Sequence, residues 1–291
     1  MKFRELALTC LGWAAFLIVI FGVGSLIVFL MYRGFSAINL KLFFGDTPAF
    51  DAIFAVKPVW NGIWPAVVGT LSLLFLTMVI VLIPGISCGV YLACFASERE
   101  KEFIGESVDI LAGIPSIVMG LFGLELVIVL RRLLLPNATT CLFLSSLCLA
   151  ILVLPTLITA TRSSIEALPS QLKLTAEALG MSKSDTVRHL LIPSAESGIL
   201  SGIILTMGRT MEDTAVIMLT GAVANAGLPR GLGAKFEALP FKIYYTSAQY
   251  TSSDELMRGF GTALLLLFLS WALILTAKIF QKRLMLQWQR N

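Results

Sequence analysis

Residues 259–277 read GFGTALLLLFLSWALILTA, nineteen consecutive positions without a charged side chain. Wound as a helix at about 1.5 Å of rise per residue, that run covers about 28 Å, close to the ~30 Å hydrocarbon thickness of a bilayer. Working back from it, residues 11–32, 63–96, 110–130, 138–161 and 197–227 are also apolar tracts of spanning length. With 57% of the chain apolar and only 14% charged, an ordinary soluble enzyme is excluded. The expected fold is all-α, a polytopic membrane protein with six transmembrane helices.

Each tract has its own punctuation. The first follows Lys2, Arg4 and Glu5, which suggests a signal peptide, but the apolar run is too long and no small-residue cleavage site follows, so it reads as a retained anchor. The second is interrupted by Pro65 and Pro84-Gly85 and reads as one tilted or kinked helix with interfacial anchoring at Trp60 and Trp64. The organisation expected is an anchor helix and outside loop over 1–59, a transmembrane domain over 60–281 with a cytoplasmic loop at 162–196, and a cytoplasmic tail at 282–291. Six crossings place both termini on one side. With the N-terminus inside, 12 Lys/Arg lie inside against 9 outside, a weak positive-inside bias.

Several chemistries drop out. The five cysteines lie in or beside apolar segments without a C-x-x-C pair, so no metal or disulfide framework is expected, and His189 stands alone. Gly227, Pro229, Gly231 and Gly233 mark turns, and no Walker A pattern occurs, so any ATP must be bound by another subunit. The net charge of +4 belongs to loops and does not argue for nucleic acid.

Two regions carry functional signals. In the 162–196 loop, Leu172, Ala176 and Leu179 recur at helical spacing, Gly180 can end that helix, and Ser182 with Asp185 forms a capping box for a second. Such a pair of helices either lies on the lipid surface or presents a knob to a partner's groove. In the fifth tract, Arg209, Glu212 and Asp213 stand at i, i+3 and i+4 and so share a helical face. At mid-membrane each charge costs about 2.5–3.5 kcal/mol, so this face is expected to line a subunit interface or a water-filled path. The bland alternative is a structural ion pair, although one base against two acids leaves a local charge of minus one. Pro84, Gly85, Pro115 and Pro155 interrupt spans, and Gly85-x-x-x-Gly89, Ser116-x-x-x-Gly120 and Gly198-x-x-x-Gly202 permit close helix approach or act as hinges.

The run Ala178-Leu179-Gly180 with Leu190 and Ile192-Pro193 resembles the EAA loop of ABC-transporter permeases. Val68-Gly69-Thr70, Tyr91-Leu92-Ala93, the stretch AGIPSIVMGLFG at 112–123, and Gly208-Arg209 followed by acids and Thr214 are similar to the phosphate-specific permeases, the PstA kind more than its sister PstC, over about residues 60 to 280. The resemblance implies a type I ABC importer permease of MetI-like fold in the inner (plasma) membrane, non-catalytic and without a cofactor of its own. Implied partners are a PstC-like sister permease, a PstB-like ATPase pair that binds the ATP, and a PstS-like phosphate-binding protein outside. Residues 170–179 become the helix that docks into the ATPase, and Arg162 matches a family arginine at the inner end of span four, either an exit contact or a membrane-edge anchor. The sequence departs from the family at Leu174, where a glutamate is usual, and in the motif G-R-x-x-G-E-T, whose second glycine and glutamate are here Glu212 and Asp213. That change leaves a permease for another oxyanion (molybdate, tungstate or sulfate) as the nearest alternative. An autonomous secondary transporter is further off, since no inverted repeat is visible.

Overall fold

The computed structural model describes residues 2–54, 59–60, 62–133 and 135–288. Of the tail expected at 282–291, residues 289–291 therefore lie outside the described residues, as do Met1 and residues 55–58 of the N-terminal segment. The architecture is all-α and multi-spanning. In chain order the helices are α1 (Lys2–Gly34), α2 (Leu40–Phe44), α3 (Ala49–Ile53), α4 (Trp64–Cys94), α5 (Glu98–Ala112), α6 (Ser116–Leu133), α7 (Leu142–Glu166), α8 (Ser170–Ala178), α9 (Lys183–Thr186), α10 (Ile192–Glu212), α11 (Ala215–Thr220), α12 (Leu239–Gln249) and α13 (Ser253–Trp288).

Among the described residues five helices are long and apolar enough to cross a membrane: α1, α4, α7, the continuous Lys183–Glu212 segment and α13. The third crossing, expected as one helix over 110–130, is instead a bent pair. α5 and α6 meet at 93° across Gly113–Ile114–Pro115, giving a sixth span only if the pair is counted as one. Pro115 disfavours helical geometry at the residue before it, so α5 stops at Ala112 and α6 starts after the proline, whose carbonyl accepts from Val118 N. α5 is polar where a span would be apolar. Ser97 and Glu100 form a reciprocal capping box at its start, and the Ser97 N–H and hydroxyl hold the Glu100 carboxyl below the usual carboxylate range.

α4 and α7 form the centre of the bundle, and small residues set their separation. A Cβ on Gly85 would lie 2.7 Å from Leu157, and one on Gly89 2.6 Å from Thr161 Cβ. α10 packs into the groove beside α4 and α7, with Gly198 against Ser164 and Gly202 against Ala160, where a Cβ would leave no room. Gly120 of α6 sits beneath α11, with Ala215 O 3.0 Å from its would-be Cβ. α13 flanks α10, and the Gln281 amide donates to Ser197 O at 2.8 Å. α1 is exposed along most of its length and rests on α13 near its end, where Phe29 meets Phe260 edge-on at 5.6 Å and Gly34 approaches the Phe260 carbonyl.

The two ends of the segment 221–238 are folded into the bundle, while Arg230–Gly233 between them are exposed. Phe236, Ala238 and Leu239 are fully buried, Phe236 joining a cluster with Leu73, Leu149 and Ile217, and the Leu239 N–H donates to Thr70 Oγ1 at 2.9 Å. Glu237, 2% exposed, accepts from Gly227 N–H at 3.0 Å and from Lys242 Nζ at 3.4 Å. Gly227 has a φ of 75°, a left-handed geometry that glycine adopts without strain.

Candidate functional site

α10 ends at Glu212, so the fifth crossing is shorter than the 197–227 tract, and the three charges stand at its C-terminal end instead of mid-helix. Asp213 is extended (φ −76°, ψ 113°) and its Oδ1 accepts from Val216 N–H at 2.9 Å, capping α11. A side chain that can bond the backbone three residues on competes with continued helix, and here it starts a new one. Asp213 therefore leaves the helical face inferred from the spacing, Arg209 and Glu212 stay on it, and no ion pair joins the three among the described residues. Thr214 lies in the break and accepts Met218 N–H through its carbonyl.

Arg209 points instead at α7. Its guanidinium donates to Thr156 Oγ1 at 3.2 Å. Leu205, Arg209 and Glu212 are exposed along one stripe of α10, below which Ser201 accepts from the Gln281 amide of α13 at 3.1 Å. The adjoining stripe of α7 carries Thr156, then Thr159 and Ser163, both exposed and without a side-chain hydrogen bond among the described residues. The residue-type signal for these hydroxyls is weak, because Ser and Thr in apolar helices usually bond back to their own helix, as Ser164 does to Ala160 O. Only the placement of Arg209 picks them out. At the C-terminal end of the stripe Arg162 pairs with Glu166 at 2.9 Å. About six residues and ~9 Å of helix separate Thr156 from Arg162, so the two arginines stand at different depths.

Between α7 and the Lys183–Glu212 segment the connection is shorter than the 162–196 loop, because α7 runs to Glu166 and helix resumes at Lys183. α8 occupies most of it. Ala176 is buried and Leu172 half-buried, whereas Leu174 and Leu179 are 62% and 75% exposed, so Leu179 is not on the packed face with Ala176. Gly180 takes a φ of 73°, and its N–H and that of Met181 close the end of α8 on Glu177 and Ala176 carbonyls. Ser182 caps α9 through Asp185 N–H at 3.1 Å. A widened π turn, Val187–Leu191, follows, with Ile192 N–H reaching Val187 O. Pro193 has no N–H for His189 O and its ring would crowd that carbonyl in a regular α-helix; the wider turn relieves both.

The fold that holds these residues has counterparts in known proteins. Residues 85–286 match the model of the family described as binding-protein-dependent transport system inner membrane component. The chain belongs to that family. It is a multi-pass ABC-transporter permease, and its role is that of a non-enzymatic transport subunit. The permease is 29% identical over 228 residues (77% of this chain and 72% of the relative) to the probable ABC transporter permease protein YqgI of Bacillus subtilis. It is 27% identical over 275 residues to the phosphate transport system permease protein PstA of Haemophilus influenzae, covering 94% of this chain and 92% of the relative. Its fold is similar to that of a chain from inward-facing conformations of the MetNI methionine ABC transporter, with a TM-score of 0.58 at 16% identity over 76% of this chain and 96% of the other. The MetI-like permease fold is thereby shown, with five to six spans.

Proposed function

We propose that this permease conducts phosphate inward, with Arg209 as the membrane-embedded contact and the hydroxyls of Thr156, Thr159 and Ser163 as the route from it toward Arg162. The observation that carries the reading is the position of Arg209, held by one neutral hydroxyl on an exposed stripe. Asp213 is committed to Val216, so the guanidinium keeps donors free for an oxyanion. Glu212, exposed on the same stripe, limits how tightly the anion is held and accepts a proton-bearing phosphate oxygen. The sister surface that completes the path belongs to a PstC-like permease. The exposed Leu174 and Leu179 of α8 fit the groove of a PstB-like ATPase on the cytoplasmic side, where both termini of the permease also lie, and a PstS-like protein delivers phosphate from outside. Gly180 and Ser182 fix how α8 meets α9, and the glycine contacts at Gly85, Gly120, Gly198 and Gly202, with Pro84, Pro115 and Ser116, are where helices slide or hinge.

Uptake by proteoliposomes holding the complete transporter tests this. Losing a two-pronged charge-assisted contact of about 3 kcal/mol lowers transport by about a hundredfold in Arg209→Ala, with partial rescue in Arg209→Lys. An Arg209→Ala complex that assembles normally and imports phosphate at the wild-type rate removes the proposal. Competition by sulfate, molybdate or tungstate more strongly than by unlabelled phosphate transfers the same path to another oxyanion.

A further inference from the structure

Two adjoining hollows lie where the end of α1 meets α2 and the start of α13. One, of about 280 Å³, is polar and lined by Ser36, Asn39, Lys41, Asp254 and Arg258 among others. The other, a groove of about 490 Å³, is lined by Val28, Met31, Tyr32, Phe35 and Ser36. Ser36 belongs to both. The apolar groove runs back along the span from the helix end for about 10 Å, the rise of the seven residues from Val28 to Phe35, and the charged pocket lies beyond it. That order, apolar at bilayer depth and charged outside it, is the order of a membrane lipid from chain to headgroup.

The charges are complementary to one kind of headgroup. Arg258, half-buried, makes no close ion pair among the described residues; the Glu255 carboxylate one turn before it feels its charge but is taken up by the Thr251 N–H and hydroxyl. Lys41 pairs with Asp46 at 3.5 Å, but with side chains 63% and 72% exposed, an arrangement that exchanges readily. The carbonyl oxygen of Asn39 is taken by Leu42 N–H at 2.8 Å, which leaves its amide N–H groups as donors. Against these donors stands one carboxylate in the lining, Asp254. A phosphodiester next to a primary ammonium satisfies both signs. A free phosphate has nothing to place in the groove, and an apolar helix laid along α1 brings no acceptor to the donors of Asn39, Lys41 and Arg258.

We propose that this junction binds one phospholipid bearing a primary ammonium, its phosphodiester between Lys41 and Arg258, its ammonium at Asp254, and an acyl chain along Val28, Met31, Tyr32 and Phe35. The site is independent of Arg209 and of what the permease carries. Native mass spectrometry of the full chain in its assembled complex, delipidated and titrated with phosphatidylethanolamine, phosphatidylglycerol or inorganic phosphate, tests it. Wild-type protein retains phosphatidylethanolamine in preference to phosphatidylglycerol, and the Lys41→Gln/Arg258→Gln variant loses about tenfold or more of that affinity. Asp254→Asn abolishes the preference between the two lipids. Phe35→Ser, which leaves every charge in place, weakens both lipids together and reads the groove even if the double variant fails to assemble. Equal retention of the two lipids by wild-type protein, unchanged retention in the double variant or in Phe35→Ser, or displacement of the lipid by inorganic phosphate overturns the proposal.

Discussion

Replacing Lys242 by methionine strands a carboxylate. Glu237 is 2% exposed and Lys242 side chain 16%, so the pair is screened far less than a surface ion pair, although its 3.4 Å separation is not tight. Breaking a buried pair by removing one partner costs about 3–5 kcal/mol, and the residual exposure of Lys242 places this one near about 3 kcal/mol. For a chain of this size the melting temperature then falls by about 5 °C. Glu237→Gln has a smaller effect, about 1 kcal/mol, because its amide oxygen still accepts Gly227 N–H and the freed lysine can turn toward water. The double variant Glu237→Gln/Lys242→Met regains most of the loss. Cys148, 1% exposed, serves as the internal reporter: with Cys10, Cys88, Cys94 and Cys141 all changed to serine in every protein compared, a maleimide dye reads its exposure during heating of the detergent-solubilised permease. A double variant as unstable as Lys242→Met refutes the stranded-charge reasoning and assigns the loss to packing alone.

Gly69→Ala drives a methyl carbon into the Glu237 carbonyl, a backbone atom that cannot turn aside; expression of folded protein falls, and limited proteolysis within 221–238 accelerates. Asp213→Ala removes the α11 cap and destabilises by about 1 kcal/mol, read as a lower melting temperature, whereas Asp213→Asn keeps an accepting oxygen and stays within about 0.5 kcal/mol of wild type. Leu174→Ser/Leu179→Ser leaves the melting temperature unchanged, since both side chains are exposed, yet uncouples ATP hydrolysis from uptake by at least tenfold; tight coupling in that variant removes α8 as the docking element.

The membrane class and the number of apolar tracts were legible because spanning length is a property of composition over about 20 residues. Composition is blind to direction. Residues on both sides of Pro115 are apolar, so hydropathy joins α5's end to α6, and only the residue-before-proline constraint marks the 93° bend. The same blindness hid the end of α10, where Asp213 looks like a third charge on a helical face until its side chain is seen bonding Val216. At the candidate site the sequence singled out Arg209, but Thr156 stands 53 positions away and is tied to it only by how α7 lies against α10. Glu237 and Lys242 were invisible for a related reason: a loop glutamate reads as solvated unless the loop is known to fold inward. The steric contacts of Gly69 with Glu237 likewise span distant parts of the chain.

From Lys183 to Glu212 the chain winds without a gap, through the π turn and past Pro193. Arg209 thus stands about 39 Å from Lys183 along one uninterrupted rod. A shove on the rod's foot travels its length as a rigid translation everywhere except at Val187–Leu191, where the backbone is wound more loosely and has slack to twist. On the proposed coupling through α8, tightening that turn to ordinary winding is expected to alter how far Arg209 tilts for a given displacement of Lys183, without touching either end.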